Sequence, residues 1–140
     1  MNWNIRGINS QERWDDIGNK ITESNCNVIC LQETKTDHFD SNNLRKFYPR
    51  RLNQFAYQHS VGNSGGILTI WNGHYFAGRV ISQNSFQLTV ELKCNFSNKI
   101  WYITNVYAPC SNEGRTEFVD WFLKLDSTIF ELWIIMGDLI

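Results

Sequence analysis

The sequence predicts a single α/β domain that covers residues 1–140. Three observations support this class: a strand–helix–strand pattern opens the chain, several antiparallel strand patterns follow, and a helix with a final strand closes it. An apolar fraction of 42% is enough for one compact core, and a chain of 140 residues is too short for two.

The first three elements predict a β-α-β unit. Residues 2–5 form a short strand, and Asn9 is the expected N-cap of the next helix because Glu12 stands three positions later, as in a capping box. The helix carries one apolar stripe at helical spacing, formed by Trp14, Ile17 and Ile21. Residues 28–31 are a continuous apolar run, typical of a strand buried on both faces. This order favours two parallel strands joined by a right-handed crossover.

The middle of the chain predicts antiparallel strands. Residues 67–71 and 75–81 flank Asn72-Gly73, a dipeptide that favours the type I′ turn of a hairpin. Residues 86–92 alternate apolar and polar side chains, as a half-buried strand does, and residues 100–106 form the next strand.

A helix and a strand are predicted at the end of the chain. The helix begins near Ser111 or Asn112, and we interpret its apolar face as core: Phe118, Trp121, Phe122 and Leu125. Residues 132–136 form the last strand, which ends at Gly137-Asp138.

Charge and composition exclude several classes of protein. The net charge of −1 argues against a general nucleic-acid coat, which carries a large positive excess. One basic cluster remains, either a solvated loop or a local nucleic-acid contact, and it contains Arg45, Lys46, Arg50 and Arg51. No apolar run reaches the roughly 18 residues that cross a bilayer, and no secretion signal opens the sequence. We therefore expect an intracellular protein whose four cysteines are reduced thiols.

Polar side chains stand where the predicted strands end. They are Asn4, Gln32, Glu33, Asn105, Tyr107 and Asp138. In α/β proteins ligand sites form where several strand ends meet, and Mg²⁺ commonly takes one or two protein carboxylates together with water. The spacing therefore predicts a site at one edge of the sheet, although ordinary loop polarity would produce the same pattern.

Five short strings occur in a fixed order along the chain: Trp3-Asn4-Ile5-Arg6-Gly7, Leu31-Gln32-Glu33-Thr34-Lys35, Gly65-Gly66-Ile67, Asn105-Val106-Tyr107-Ala108-Pro109 and Gly137-Asp138. Together they resemble the endonuclease/exonuclease/phosphatase superfamily, above all the endonuclease domains of LINE-type (non-LTR) retrotransposons. The resemblance spans the chain but only about the first half of the family's domain. It implies that residues 1–140 are a truncated domain, half of a four-layer α/β/β/α sandwich of the DNase I type, with a mixed sheet and helices on one face.

The resemblance implies Mg²⁺-dependent hydrolysis of phosphodiesters in DNA, with Mn²⁺ as a substitute metal. By this likeness Glu33 binds the metal and Asn4 supports it. Tyr107 and Asp138 are the catalytic residues: Tyr107 contacts the scissile phosphate, and Asp138 orients or deprotonates the attacking water. The implied substrate-binding residues are Asn4, Arg6 and Asn105.

The sequence also departs from the family pattern. The family continues Gly-Asp with Phe-Asn, whereas Leu139 and Ile140 occupy those positions here. The family's later Ser-Asp-His segment has no counterpart, and none of the three histidines, His38, His59 and His74, stands in a matching context. We therefore expect impaired catalysis, since catalytic groups act as a unit. The alternatives are a non-catalytic remnant of a transposon and a nucleic-acid-binding fragment.

Two further expectations follow from the resemblance. If the partner sheet of the sandwich is missing, an apolar sheet face meets water, which predicts self-association or a partner chain. We also expect a nuclear location if the protein is expressed.

Overall fold

Eight strands and three helices follow one another along the residues that the computed structural model describes, which are 1–8, 10–36, 41–45, 48–60 and 65–139. The strands are β1 (Asn2–Asn4), β2 (Val28–Gln32), β3 (Gln54–Gln58), β4 (Ile67–Trp71), β5 (Phe76–Asn84), β6 (Gln87–Cys94), β7 (Ile100–Tyr107) and β8 (Trp133–Asp138). The helices are α1 (Gln11–Ser24), α2 (Ser41–Leu44) and α3 (Asn112–Leu123).

The strands form two four-stranded sheets. The first has the order β1-β2-β4-β3 and the second has the order β5-β6-β7-β8. Strands β1 and β2 pair in parallel, as do β7 and β8, while the other neighbours are antiparallel. Each parallel pair is joined through a helix, α1 or α3, so the predicted β-α-β opening is confirmed.

The two sheets pack face to face between the two long helices. Ile17 and Ile21 of α1 pack on the outer face of the first sheet, and Phe118 of α3 packs on the outer face of the second. The facing inner surfaces are apolar and include Cys30, Ile67, Leu88, Val90 and Ile103. The chain therefore builds all four layers of an α/β/β/α sandwich. The expectation that the partner sheet is missing is wrong, because residues 76–138 supply it.

The predicted hairpin at Asn72-Gly73 is also wrong. Strand β4 belongs to the first sheet and β5 to the second, so this turn carries the chain between sheets. Neither residue has the positive φ that a type I′ turn requires. Instead, the Asn72 side-chain oxygen accepts a hydrogen bond from the backbone N–H of His74 at 2.9 Å, which is the local bonding typical of asparagine in turns.

Several element boundaries differ from those predicted. The N-cap of α1 is Ser10, whose Oγ accepts from the Arg13 backbone N–H at 3.3 Å, and Asn9 lies outside the described residues. Strand β3 and the short α2 were not predicted. The string Gln54–Gln58 contains no β-branched residue and no strong alternation, so nothing in it indicates a strand. In α3 the side chain of Phe122 is 43% exposed, so it does not share the core position of Phe118.

All four cysteines are unpaired thiols, as the sequence predicts. Cys30 is fully buried, and burial raises the pKa of its thiol to about 12, which keeps it protonated. Among the described residues, no helix is both long enough and apolar enough to cross a bilayer.

Candidate functional site

The ends of four strands meet at one edge of the sandwich. Asn4 at the end of β1 pairs in register with Gln32 at the end of β2, and Tyr107 of β7 pairs with Asp138 of β8. Two side-chain hydrogen bonds join the sheets here. Asn4 Nδ2 donates to Asp138 Oδ2 at 2.6 Å, and the Tyr107 hydroxyl donates to Glu33 Oε1 at 2.7 Å. Residues that lie up to 134 positions apart in the chain are thus brought together.

The backbone around Glu33 is held from two sides. Glu33 and Lys35 have left-handed φ values of 56° and 54°, which non-glycine residues adopt rarely. The Glu33 carbonyl accepts from the Gly7 N–H at 2.7 Å, while the Thr34 N–H donates to the Gly66 carbonyl at 3.2 Å. Such a conformation persists only where neighbouring structure enforces it, and it directs the half-buried Glu33 side chain toward Tyr107.

Asn4 is oriented through both ends of its amide. Its Oδ1 accepts from the backbone N–H of Arg6 at 3.1 Å, so its Nδ2 is left to bind Asp138. The Asp138 backbone is fixed in turn, because its carbonyl accepts from the Ala108 N–H at 2.8 Å. Arg6 itself is exposed. These contacts place one carboxylate and one amide together at this edge.

Tyr107 is only 8% exposed. Its hydroxyl lies between Glu33 and Cys110, whose Sγ is 3.7 Å away. Burial raises the pKa of the Tyr107 phenol well above its ordinary value, and the hydrogen bonds to Glu33 and Cys110 add to this effect. The hydroxyl is therefore a neutral hydrogen-bond donor at physiological pH.

Asn105 lies beneath the site. It is fully buried between the sheets, and its amide nitrogen donates to the Leu68 carbonyl at 3.1 Å and to Thr69 Oγ1 at 3.2 Å. The expected direct contact with substrate does not fit this burial. Sequence reasoning gave no role to its partner Gln32, although an amide at the end of an apolar strand is an unusual position for a polar side chain.

Solved structures of DNA-processing enzymes share this arrangement of sheets and helices. The AP endonuclease LMAP from Leishmania major superposes with a TM-score of 0.66 at 16% identity, over 98% of this chain and 53% of that protein. The Xenopus laevis APE2 catalytic domain gives 0.65 at 17% identity, over 99% and 57% of the two chains. The endonuclease domain of TRAS1, a telomere-specific non-LTR retrotransposon, gives 0.65 at 8% identity, over 98% and 58%.

This chain has about half of the DNase I-like fold. It spans 53–58% of the length of the three structures. No family model and no curated protein matches the sequence. The likeness therefore shows the fold of this chain and nothing of its chemistry, which has to be argued from its own residues.

The donor atoms at this edge suit a hard, water-rich cation. Glu33 Oε1 accepts from the Tyr107 hydroxyl, and the other nearby donors are the amide oxygen of Asn4 and the carboxylate of Asp138. The described residues contain no group of three or more His, Cys, Asp or Glu side chains that could enclose a metal. Oxygen donors of this kind fit Mg²⁺, which keeps several waters and needs few protein carboxylates.

An open groove of about 350 Å³ runs beside the Tyr107 ring. Two glycines and the segment after β7 form its walls, and the residues that line it include Gly65, Gly66, Pro109, Cys110 and Ser111. The small glycines keep the approach to the Tyr107 ring open. Cys110 was not predicted as a site residue, and its position after Ala108-Pro109 would have been the only sequence signal.

The Tyr107→Phe variant tests the pKa shift through stability. Because the folded-state pKa of this phenol is raised, its contribution is complete below the unfolded value near pH 10 and is lost as the pH rises through the folded value. We expect the wild type to lose stability above about pH 10 more steeply than Tyr107→Phe. Urea unfolding at pH 8, 10 and 11 measures the difference, and parallel pH profiles of the two proteins would contradict the shift.

Proposed function

We propose that this chain carries the first half of a divalent-metal-dependent phosphodiesterase site that acts on DNA. The observation that supports it best is the pair of cross-sheet hydrogen bonds, Asn4 to Asp138 and Tyr107 to Glu33, which gathers two carboxylates, an amide and a phenol at one edge. The fold adds support, since its neighbours are an AP endonuclease, a retrotransposon endonuclease and a TDP2 complexed with a single-stranded DNA product.

In this proposal Glu33 is the protein ligand of Mg²⁺, with Mn²⁺ as a substitute, and Asn4 supports the site. When bound, the metal stabilises the negative charge that develops on the phosphoryl oxygens. When DNA binds, the neutral Tyr107 hydroxyl exchanges its hydrogen bond to Glu33 for one to a phosphate oxygen, and the exposed Arg6 guanidinium pairs with the DNA backbone.

Asp138 acts on the attacking water. Its carboxylate is held by Asn4 at 2.6 Å, so it is positioned to orient the water and accept its proton. The water oxygen then forms the new bond to phosphorus as the bond to the sugar oxygen breaks. Asn4 is thus a positioning residue for Asp138 as well as a support for the metal.

We further propose that turnover is slow. The family's Ser-Asp-His string has no counterpart in this sequence, and the resemblance gives its role to no other histidine. In this proposal the metal and the Tyr107 hydroxyl therefore supply most of the stabilisation of charge on the phosphate.

The second candidate function is DNA binding without catalysis, the property of a transposon-derived remnant. Arg45, Tyr48 and Arg50 line an open groove of about 610 Å³, which combines cationic and aromatic side chains. Arg51 of the predicted basic cluster instead donates to the Cys26 carbonyl at 3.2 Å, and Lys46 lies outside the described residues. Salt-sensitive DNA binding that survives Glu33→Ala would distinguish this function.

Nicking of supercoiled plasmid tests the proposed catalysis. We expect the purified chain to nick DNA in the presence of Mg²⁺, and we expect the nicking to cease when a chelator removes the metal. Glu33→Ala is expected to lower the rate on the order of 100-fold, the usual cost of removing one preorganised electrostatic partner. The matched control is Glu117→Ala, which removes an exposed carboxylate on α3.

The outcomes separate the two functions. Nicking that persists in Glu33→Ala or in chelator contradicts the proposed site. A wild type that binds DNA but never nicks it, with either metal, replaces the phosphodiesterase with the binding function.

Self-association and a nuclear location stay predictions. The open sheet face that motivated the first does not exist, but Leu123 and Ile129 are 76% and 64% exposed and would carry such a contact. Sedimentation velocity measures it directly.

A further inference from the structure

Two buried amides bridge the sheets directly beneath the site. Gln32 is 1% exposed and Asn105 is fully buried. Gln32 Nε2 donates to Asn105 Oδ1 at 2.7 Å and to Asn2 Oδ1 at 2.7 Å. Asn105 Nδ2 in turn donates to the Leu31 carbonyl at 3.3 Å and to further acceptors on β4 of the first sheet. One side chain of the second sheet is therefore bonded to two strands of the first.

Burying this pair of amides in an otherwise apolar interface costs free energy of desolvation. The neighbours of the pair on the inner surfaces are Cys30, Ile67, Leu88 and Ile103. Amides taken out of water are tolerated only when their hydrogen bonds are satisfied, and two apolar side chains of similar volume would fill the same space at little cost in stability. Packing alone therefore gives no reason for amides at these two positions.

A directional hydrogen bond fixes the relative position of the two sheets more tightly than apolar packing does. Apolar faces can slide past one another by small distances, whereas a buried hydrogen bond at 2.7 Å fixes the offset of the two sheets. Gln32 immediately precedes Glu33, and Asn105 lies two residues before Tyr107 on the same face of β7. The Gln32–Asn105 and Glu33–Tyr107 bonds are thus successive cross-sheet links between the same two strands.

We infer that Gln32 and Asn105 are positioning residues, which hold β2 and β7 at the offset that brings the Glu33 carboxylate to the Tyr107 hydroxyl. The inference rests on the proposed function, because the site that they position is the proposed phosphodiesterase site. It assigns Asn105 a role within the protein instead of a contact with DNA.

The test replaces both amides with apolar side chains of similar volume, in the variant Gln32→Met/Asn105→Leu. Removing both partners together avoids leaving either one unsatisfied, so we expect the fold to persist. The control is Thr89→Val. It removes another buried hydrogen bond between β6 and β7, which joins Thr89 Oγ1 and Thr104 Oγ1 at 2.8 Å. This bond lies on the face of the second sheet that points away from the first sheet and the site.

The readout is the NMR chemical shift of the Tyr107 ζ carbon at neutral pH, in protein labelled with ¹³C at that position of tyrosine. Tyr107→Phe assigns the signal among the five tyrosines. This carbon carries the hydroxyl that donates to Glu33 Oε1 at 2.7 Å, so its chemical shift reports that hydrogen bond. We expect the signal to move in the double variant, as the bond to Glu33 is lost, and to stay unchanged in Thr89→Val.

A folded double variant whose Tyr107 signal coincides with that of the wild type overturns the inference. If the double variant does not fold, Gln32→Asn provides the same comparison, because the shorter amide keeps a polar side chain but cannot span the gap. The chemical shift does not depend on activity. A wild type that fails to nick DNA therefore removes the proposed function, while the Tyr107 signal still decides whether the bridge positions Glu33 and Tyr107.

In an active protein a second readout follows. Plasmid nicking by the double variant is expected to lose about 10-fold or more in kcat with little change in KM, as a misplaced catalytic group costs turnover more than binding. An unchanged kcat would contradict the role of the bridge.

Discussion

Replacing Gly66 with alanine is expected to lower the free energy of unfolding by about 2–4 kcal/mol, through backbone strain and a clash with a buried side chain. Gly66 has a φ of +94°, which L-residues adopt rarely, and a Cβ there would overlap Thr34 Oγ1, which is itself fully buried. The Gly66 carbonyl also accepts the Thr34 N–H, so the change would shift the segment that carries Glu33. Metal-dependent nicking should fall along with stability.

Gly18→Ala is the control for this substitution. Gly18 lies inside α1, where alanine has the higher helix propensity, so we expect a gain of about 0.5–1 kcal/mol. Urea unfolding followed by tryptophan fluorescence measures both variants. If both substitutions changed the free energy of unfolding in the same direction, the backbone strain assigned to position 66 would be contradicted.

Leu31→Ala is expected to destabilise the protein by about 2–5 kcal/mol, because it removes a fully buried side chain and leaves a cavity. Leu31 is 0% exposed and packs among Ile17, Ile21 and Leu68, where α1 covers the first sheet. A cavity there loosens the strand that ends at Gln32 and Glu33. The midpoint of guanidinium unfolding should fall while the slope stays unchanged.

The same truncation at an exposed leucine provides the comparison. Leu123 at the end of α3 is 76% exposed, so Leu123→Ala should change the stability by no more than about 0.5 kcal/mol. Equal losses in the two variants would mean that the interface between α1 and the first sheet does not carry the stability assigned to it.

Local patterns predicted most of the elements. Residues 67–71 were predicted as β4 with both ends correct, and the helical spacing of Ile17 and Ile21 identified the face of α1 that is buried. Both signals depend on side chains a few positions apart, which the strand and helix periodicities bring to one face. The unpredicted β3 lacks such a signal, because it is held mainly by its pairing with β4.

The Asn72-Gly73 turn shows where local reasoning fails. The dipeptide correctly marks a change of direction, but the strand after it joins β6 in the other sheet. Whether two successive strands pair or separate depends on which apolar face each one buries, and that choice involves residues far along the chain. The wrong expectation of a missing partner sheet had another source, because it followed from a resemblance to only about half of the family's domain.

The candidate site divides in the same way. The resemblance carried by the short residue strings led to Asn4, Glu33, Tyr107 and Asp138 as the predicted site residues, and their roles stay predictions. Only the tertiary structure showed that Asn4 bonds Asp138, that Tyr107 bonds Glu33 and that Asn105 lies buried beneath them.

What the sequence by itself determined is therefore most of the strands and the two long helices, together with the polar side chains at the strand ends, since both follow from short-range periodicity and turn chemistry. The packing of two sheets against each other decided which of those side chains meet, which are buried and which way Glu33 faces. Hydrogen bonds between residues more than seventy positions apart depend on that packing, and no local pattern specifies it.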